Sequence, residues 1–143
     1  MRLLILIFIV IALTGCGILH TKSFDLNTSD FSQASNQDLC GAYGYRNHRV
    51  NEARKELFSR KLFTPTEWRN IDQRIVLNGM SECAVKAAFA LDYKKIISSS
   101  YKDGSIGKSL IYLCVDGRVP FCPYTQVDIK NGLVVDVYER SKL

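Results

Sequence analysis

Histidine is almost missing from this chain: His20 and His48 are the only two among 143 residues. A multi-histidine metal site and a histidine-based nucleophile triad therefore lack their material. Five cysteines are present, but none at the paired CxxC or CxxH spacings of a zinc centre, so no metal is expected. No Lys or His stands at motif spacing to activate a hydroxyl of Ser98-Ser99-Ser100, and Gly104, Gly107 and Lys108 fail the spacing of a phosphate loop. Asp92, Asp103, Asp116, Asp128 and Asp136 supply carboxylates for an acid–base pair, yet three of them fall in turns or helix ends, where Asp is ordinary. His48, beside Arg46 and Arg49, reads as a surface helix residue rather than a base. The chain thus reads as non-enzymatic, with no catalytic residue and no cofactor. After residue 13, no apolar run approaches the roughly 20 residues that a spanning helix needs.

What is present begins with an unbroken apolar run, Leu3 to Leu13, behind a lone Arg2. It is too short to cross a bilayer as a helix but has the length and flanks of a secretory signal. The residues that follow, Leu13-Thr14-Gly15-Cys16, resemble the lipobox of bacterial lipoproteins. That resemblance implies a signal peptide over 1–15, cleavage before Cys16, and a diacylglycerol plus an N-acyl chain carried by Cys16. One acyl chain gives marginal membrane binding, whereas two or three, at about 0.8 kcal/mol per buried methylene, hold indefinitely. In the lipoproteins that this segment resembles, Asp after the cysteine marks retention in the inner membrane, so with Gly17 the resemblance implies the outer membrane of a Gram-negative host, with the periplasmic face expected.

Loss of Arg2 with the signal lowers the formal net charge from +5 to +4, a mild excess. No basic helix with interleaved aromatics matches a nucleic-acid motif, so nucleic acid is not an expected partner. Anionic headgroups or an acidic protein remain open. Basic residues are densest between Arg46 and Arg74, a stretch expected to be a solvated helix face. With Cys16 assigned to lipid, an even set remains for an oxidising compartment: Cys40, Cys83, Cys114 and Cys122. Four cysteines allow three pairings. Cys114 with Cys122 is preferred because it closes a short turn-rich segment between strands, and Cys40 with Cys83 because it staples two helices.

Residues 16–36 are polar, without a helical or alternating period, and read as a lipidated flexible tether with a root-mean-square reach of about 25 Å. Phe24 and Phe31 are its exceptions. Residues 37–143 have the size of one small domain. Its first half reads helical. A short helix weakened by Gly41 and Gly44 spans Gln37 to Tyr45; Val50, Ala53, Leu57, Phe58 and Leu62 then form a helical stripe, with Glu56 and Arg60 as an i,i+4 pair. Thr64-Pro65-Thr66-Glu67 is a capping box with proline at the first helical position, and Trp68, Ile71 and Ile75 are the expected inward residues behind it. Ser81 caps a further helix to about Ala90, burying Val85, Ala88 and Phe89. The second half is rich in β-branched and aromatic residues over 93–101, 108–115, 124–130 and 133–139. Asn131-Gly132 predicts a type I′ hairpin whose strict register sets Ile129 opposite Val134 and Val127 opposite Asp136. The expected class is α+β: N-terminal helices packed on a three- or four-stranded antiparallel sheet.

Ile75-Val76-Leu77-Asn78-Gly79-Met80-Ser81, followed by a short helix and antiparallel strands joined at Asn131-Gly132, resembles the SmpA/OmlA family of small outer-membrane lipoproteins across Ile75 to Glu139. Ala90-Leu91-Asp92-Tyr93 stands where that family has a Gly-x-Pro step. The resemblance implies a helix-plus-sheet fold and a non-enzymatic accessory role among envelope proteins. Tyr43, Tyr45, Trp68, Tyr112 and Phe121 are candidate interface anchors, although most aromatics of this kind serve as core. Phe121, between Pro120 and Cys122, and Arg118 are the proposed contact residues of a disulfide-closed loop. The leading expectation is a membrane-anchored module that binds an envelope protein. The alternative is an inhibitor or exclusion lipoprotein acting on an external protein, related to lysozyme or phage.

Overall fold

The computed structural model describes residues 24–113 and 124–143. Helices fill the first part: α1 (Asn36–Gly44), α2 (Val50–Ser59), α3 (Pro65–Asp72) and α4 (Glu82–Phe89). A four-stranded antiparallel sheet follows, β1 (Tyr93–Ser100), β2 (Ile106–Leu113), β3 (Tyr124–Lys130) and β4 (Leu133–Arg140), in the order β1-β2-β3-β4. The expected α+β architecture is present.

Local chemistry starts three of the four helices. Ser35, Thr64 and Ser81 occupy the N-caps of α1, α3 and α4, and each accepts a backbone N–H three residues on. At α3 the capping box is complete, because Glu67 also accepts from the Thr64 backbone N–H at 2.8 Å. Phe63, just before that cap, meets Trp68 edge-on at 5.1 Å and forms the hydrophobic staple that fixes the entry angle of the chain. Helix ends are less conventional. Arg46, Lys61 and Arg74 follow α1, α2 and α3 in the left-handed region, at φ 53°, 52° and 57°, a position usually given to glycine.

Close approach explains the glycines of α1. A Cβ at Gly44 would lie 2.1 Å from the Lys86 carbonyl oxygen, and the two helices meet there backbone to backbone. The Cys40–Cys83 disulfide joins the same pair, with Cα atoms 5.5 Å apart, as expected for a staple of two helices. Cys114 and Cys122 lie outside the described residues.

One core unites helices and sheet. Leu39, Tyr43, Leu57, Trp68, Ile71, Val85 and Phe89 are buried with Leu110, Tyr112, Val127, Ile129 and Val134. Ile75 is exposed rather than inward, since α3 ends at Asp72 and the chain leaves the helical period before it.

Asn131 and Gly132 make the β3–β4 turn with φ of 50° and 81°, as a type I′ hairpin requires. Ile129 pairs with Val134, but Val127 pairs with Val137, and Asp128 with Asp136. The strict register fails because β4 carries one extra residue, Val135, between the partners of Ile129 and Asp128. This bulge turns Val137 toward the core and releases Asp136 to solvent, which removes the charge that the strict register would have left on an apolar face.

Residues 24–36, expected to be part of a flexible tether, are packed on the domain. Phe31 is 2% exposed in a 3-10 turn, Phe31–Gln33, and stacks on Phe24 at 6.0 Å. Arg49 donates to the carbonyls of Leu26 and Ser29 while lying 4.1 Å over the Phe31 ring. Arg60 donates to the carbonyls of Phe31, Ser32 and Ala34. Residues 24–36 are therefore a strap docked on α2, held by two guanidiniums that are themselves oriented by Glu52 and Glu56.

Candidate aromatic and cationic site

The stretch read as a solvated basic face is instead where several arginines turn inward to order the fold. Besides Arg49 and Arg60, Arg46 donates to the Ile71 carbonyl at 3.0 Å and lies 3.8 Å over the Tyr43 ring. Arg54, on α2, grips both carboxylate oxygens of Asp72 at the end of α3, each at 2.9 Å. The Tyr43 hydroxyl donates to the same carboxylate and accepts from Arg54, closing a three-residue network between α1, α2 and α3. Burial opposes ionisation of Asp72, but the hydrogen bonds from Arg54 and Tyr43 outweigh it and hold the carboxyl below its usual range. Burial, then the hydrogen bond to Asp72, pushes the Tyr43 phenol up.

Arg54 also fixes the aromatic group beside it. Its guanidinium lies 4.9 Å from the Trp68 ring and 5.5 Å from that of Phe58. Trp68 is nearly buried between Tyr43 and Phe63, both edge-on. Phe58 was expected in the buried stripe of α2, yet it is 52% exposed and lies flat on Trp68 at 4.5 Å and 7°. It falls at the rim of the stripe, where the core is already filled by Ala53 and Leu57. Phe58, Lys61, Phe63, Pro65 and Trp68 line an apolar cavity of about 340 Å³, with Lys61 as its cationic rim. Such a recess takes an apolar side chain and presents a charge to whatever flanks it.

Of the residues singled out from the sequence, Trp68 belongs to this site and Tyr43 stands behind it. Tyr112 is core, its hydroxyl aimed at the Ala90 carbonyl at 3.4 Å. Tyr45 is exposed apart from the cluster. Cys16, Arg118 and Phe121 lie outside the described residues. His48 is exposed in the turn before α2. Asp128 and Asp136 face each other across β3 and β4, but Asp128 accepts from Gln126 and Asp136 from the Val137 N–H. Gly104 and Lys108 belong to the β1–β2 hairpin, and Lys108 pairs with Glu82 at 2.9 Å. Among the described residues no cluster of His, Cys, Asp or Glu is arranged to hold a metal ion, and no helix is long and apolar enough to cross a membrane.

Phe58, Lys61 and Phe63 carry the site without having been marked as candidates. The signal for Phe63 was present in the chain, since a hydrophobe directly before a capping box with another five residues on is the staple pattern. No family model, curated protein or solved structure matches the chain.

Proposed function

We propose that this is a non-enzymatic lipoprotein of the bacterial outer membrane, anchored through Cys16, whose domain binds a protein of the envelope at the Phe58–Trp68 face. The observation that carries the reading is Phe58, an aromatic ring held half in solvent by stacking on a buried Trp68. Exposed aromatics fixed in this manner lose little freedom on binding, and a neighbouring Arg54 supplies the second residue type favoured at interface centres. Lys61 adds support. It keeps a long side chain at φ 52° on the cavity rim, a strained position that glycine would fill more cheaply.

The SmpA/OmlA resemblance is consistent with two local features. Gly79 and Met80 exchange backbone hydrogen bonds with Val134, joining the Gly-Met step to β4. Ala90, standing where that family has the glycine of its Gly-x-Pro step, takes φ 64°.

Crosslinking in intact cells producing the full-length chain, with complexes identified by mass spectrometry, tests the binding face. Phe58→Ala should lower the yield of one envelope-protein complex at least tenfold while leaving the melting temperature within a few degrees. An unchanged set of complexes overturns the reading. For the anchor, Cys16→Ala should abolish acyl labelling and release the domain from the membrane fraction; continued labelling defeats the assignment.

A further inference from the structure

β1 is an edge strand whose two faces are both open. From Lys94 to Ser100 every residue is exposed, and among the described residues β1 pairs only with β2. Its register with β2 is regular from Lys95 to Ser100, so three of these six residues, at alternate positions, offer a straight row of outward backbone donors and acceptors. Edge strands of that length are ordinarily blunted by proline, by charges along the strand or by a covering element. Here Lys94 and Lys95 crowd one end, and the remainder is Ile96, Ile97 and three serines. Ile96 pairs with Leu110 on the helix-bearing side and Ile97 with Ser109 on the other, yet they stay 44% and 36% exposed. A branched apolar residue waits on each side of the pleat.

Charge selects the occupant. Between Tyr93 and Leu113 stand Lys94, Lys95, Lys102 and Lys108 against Asp103 alone. Asp103 is spent on Ser105 and Lys130, and Lys108 is neutralised by Glu82. That leaves the edge itself cationic. A second copy pairing antiparallel through β1 would set Lys94 and Lys95 of each strand opposite the other's serines and bring no carboxylate to them, whereas an acidic segment supplies oppositely charged cross-strand pairs.

We propose that β1 receives an extended acidic segment of a partner protein, which adds to the sheet as a fifth strand. Main-chain hydrogen bonds hold it, Ile96 and Ile97 pack against its side chains on the two faces, and Lys94 and Lys95 set its direction by pairing with carboxylates at one end. This surface is separate from the Phe58 face and does not depend on it.

The test places a photo-crosslinking p-benzoylphenylalanine at Ile97, at Ser99 or, as a control, at the exposed Lys55 in the full-length chain in intact cells. Crosslinked peptides are then sequenced by mass spectrometry. Ile97 and Ser99 should attach to one partner segment at positions about two residues apart, in antiparallel or parallel order, within a stretch where Asp and Glu outnumber Lys and Arg. Lys94→Glu with Lys95→Glu should cut that yield at least fivefold without changing the circular dichroism spectrum. Attachment to another copy of this chain, attachment to a neutral or basic segment, or a yield no greater than at Lys55 overturns the proposal.

Discussion

Gly44 sits where α1 presses its backbone onto α4, and no side chain fits between them. Gly44→Ala should destabilise the domain by about 3 kcal/mol, because the added methyl meets the Lys86 carbonyl and the Ala90 backbone rather than a movable side chain. Urea titration at neutral pH reads this directly. Lys61 gives the opposite sign. Its left-handed φ costs about 1 kcal/mol relative to glycine, so Lys61→Gly should raise stability by about that amount in the same titration, while stripping the cavity of its cationic rim. The helix stripe gave away Ala53 and Leu57 as core, but Phe58 looked the same by spacing. Periodicity reports which residues share a face, and it cannot tell the centre of that face from its rim.

At the scale of elements, the clearest dependence is that of α1 on α4. The Cys40–Cys83 bond closes a loop with a sequence separation of 43, which chain-entropy reasoning values at about 4 kcal/mol. Cys40→Ser with Cys83→Ser should therefore remove about that much in chemical denaturation, and dithiothreitol should remove at least as much from the unaltered chain, since it also reduces the Cys114–Cys122 bond expected from the sequence. Starts of helices and the β3–β4 turn were legible in the sequence because their determinants lie within three or four residues: Thr64 with Glu67, Ser81 with Ala84, Asn131 with Gly132. Two other features were not. The Val135 bulge answers to what Val137 and Asp136 meet across the sheet, and the docking of residues 24–36 depends on Arg49 and Arg60 reaching carbonyls 20 to 29 positions away. Both are settled by tertiary contacts that no local window contains. The aromatic site shares this property, since α2 supplies Arg54 and Phe58 while α3 supplies Trp68 and Asp72.

For the whole molecule, carboxylates set the acid limit. Asp72 is held below its usual range by Arg54 and Tyr43 against the opposing effect of burial, Glu82 likewise by Lys108 and Lys86, and Asp103 is held at about 2 by hydrogen bonds from Ser105. A folded-state pKa below the unfolded value contributes stability that is present above pH 4 and disappears as pH falls through the folded value. Stability should thus be flat from pH 7 to 5 and decline from about pH 4 toward pH 2. Asp72→Asn should flatten part of that decline; an equally steep decline in the variant would remove Asp72 from the account. Basic pH has its own limit. Burial pushes the Tyr112 phenol far up, so stability that is complete below pH 10 should drain away as pH rises beyond it.

The strap gripped by Arg49 and Arg60 also sets a geometry of search. Between Cys16 and Phe24 the chain advances eight residues, at most about 28 Å when fully drawn out, whereas a free segment running to residue 36 would allow about 70 Å. Volume swept from a fixed point grows with the cube of the radius. Under the proposed anchoring at Cys16, the docked segment would confine the domain to roughly a fifteenth of the space it would otherwise sample, and would raise its encounter frequency with anything embedded in the same bilayer by a similar factor. On that proposal, two guanidiniums at the ends of one helix would set how far from the lipid a partner can stand and still be met.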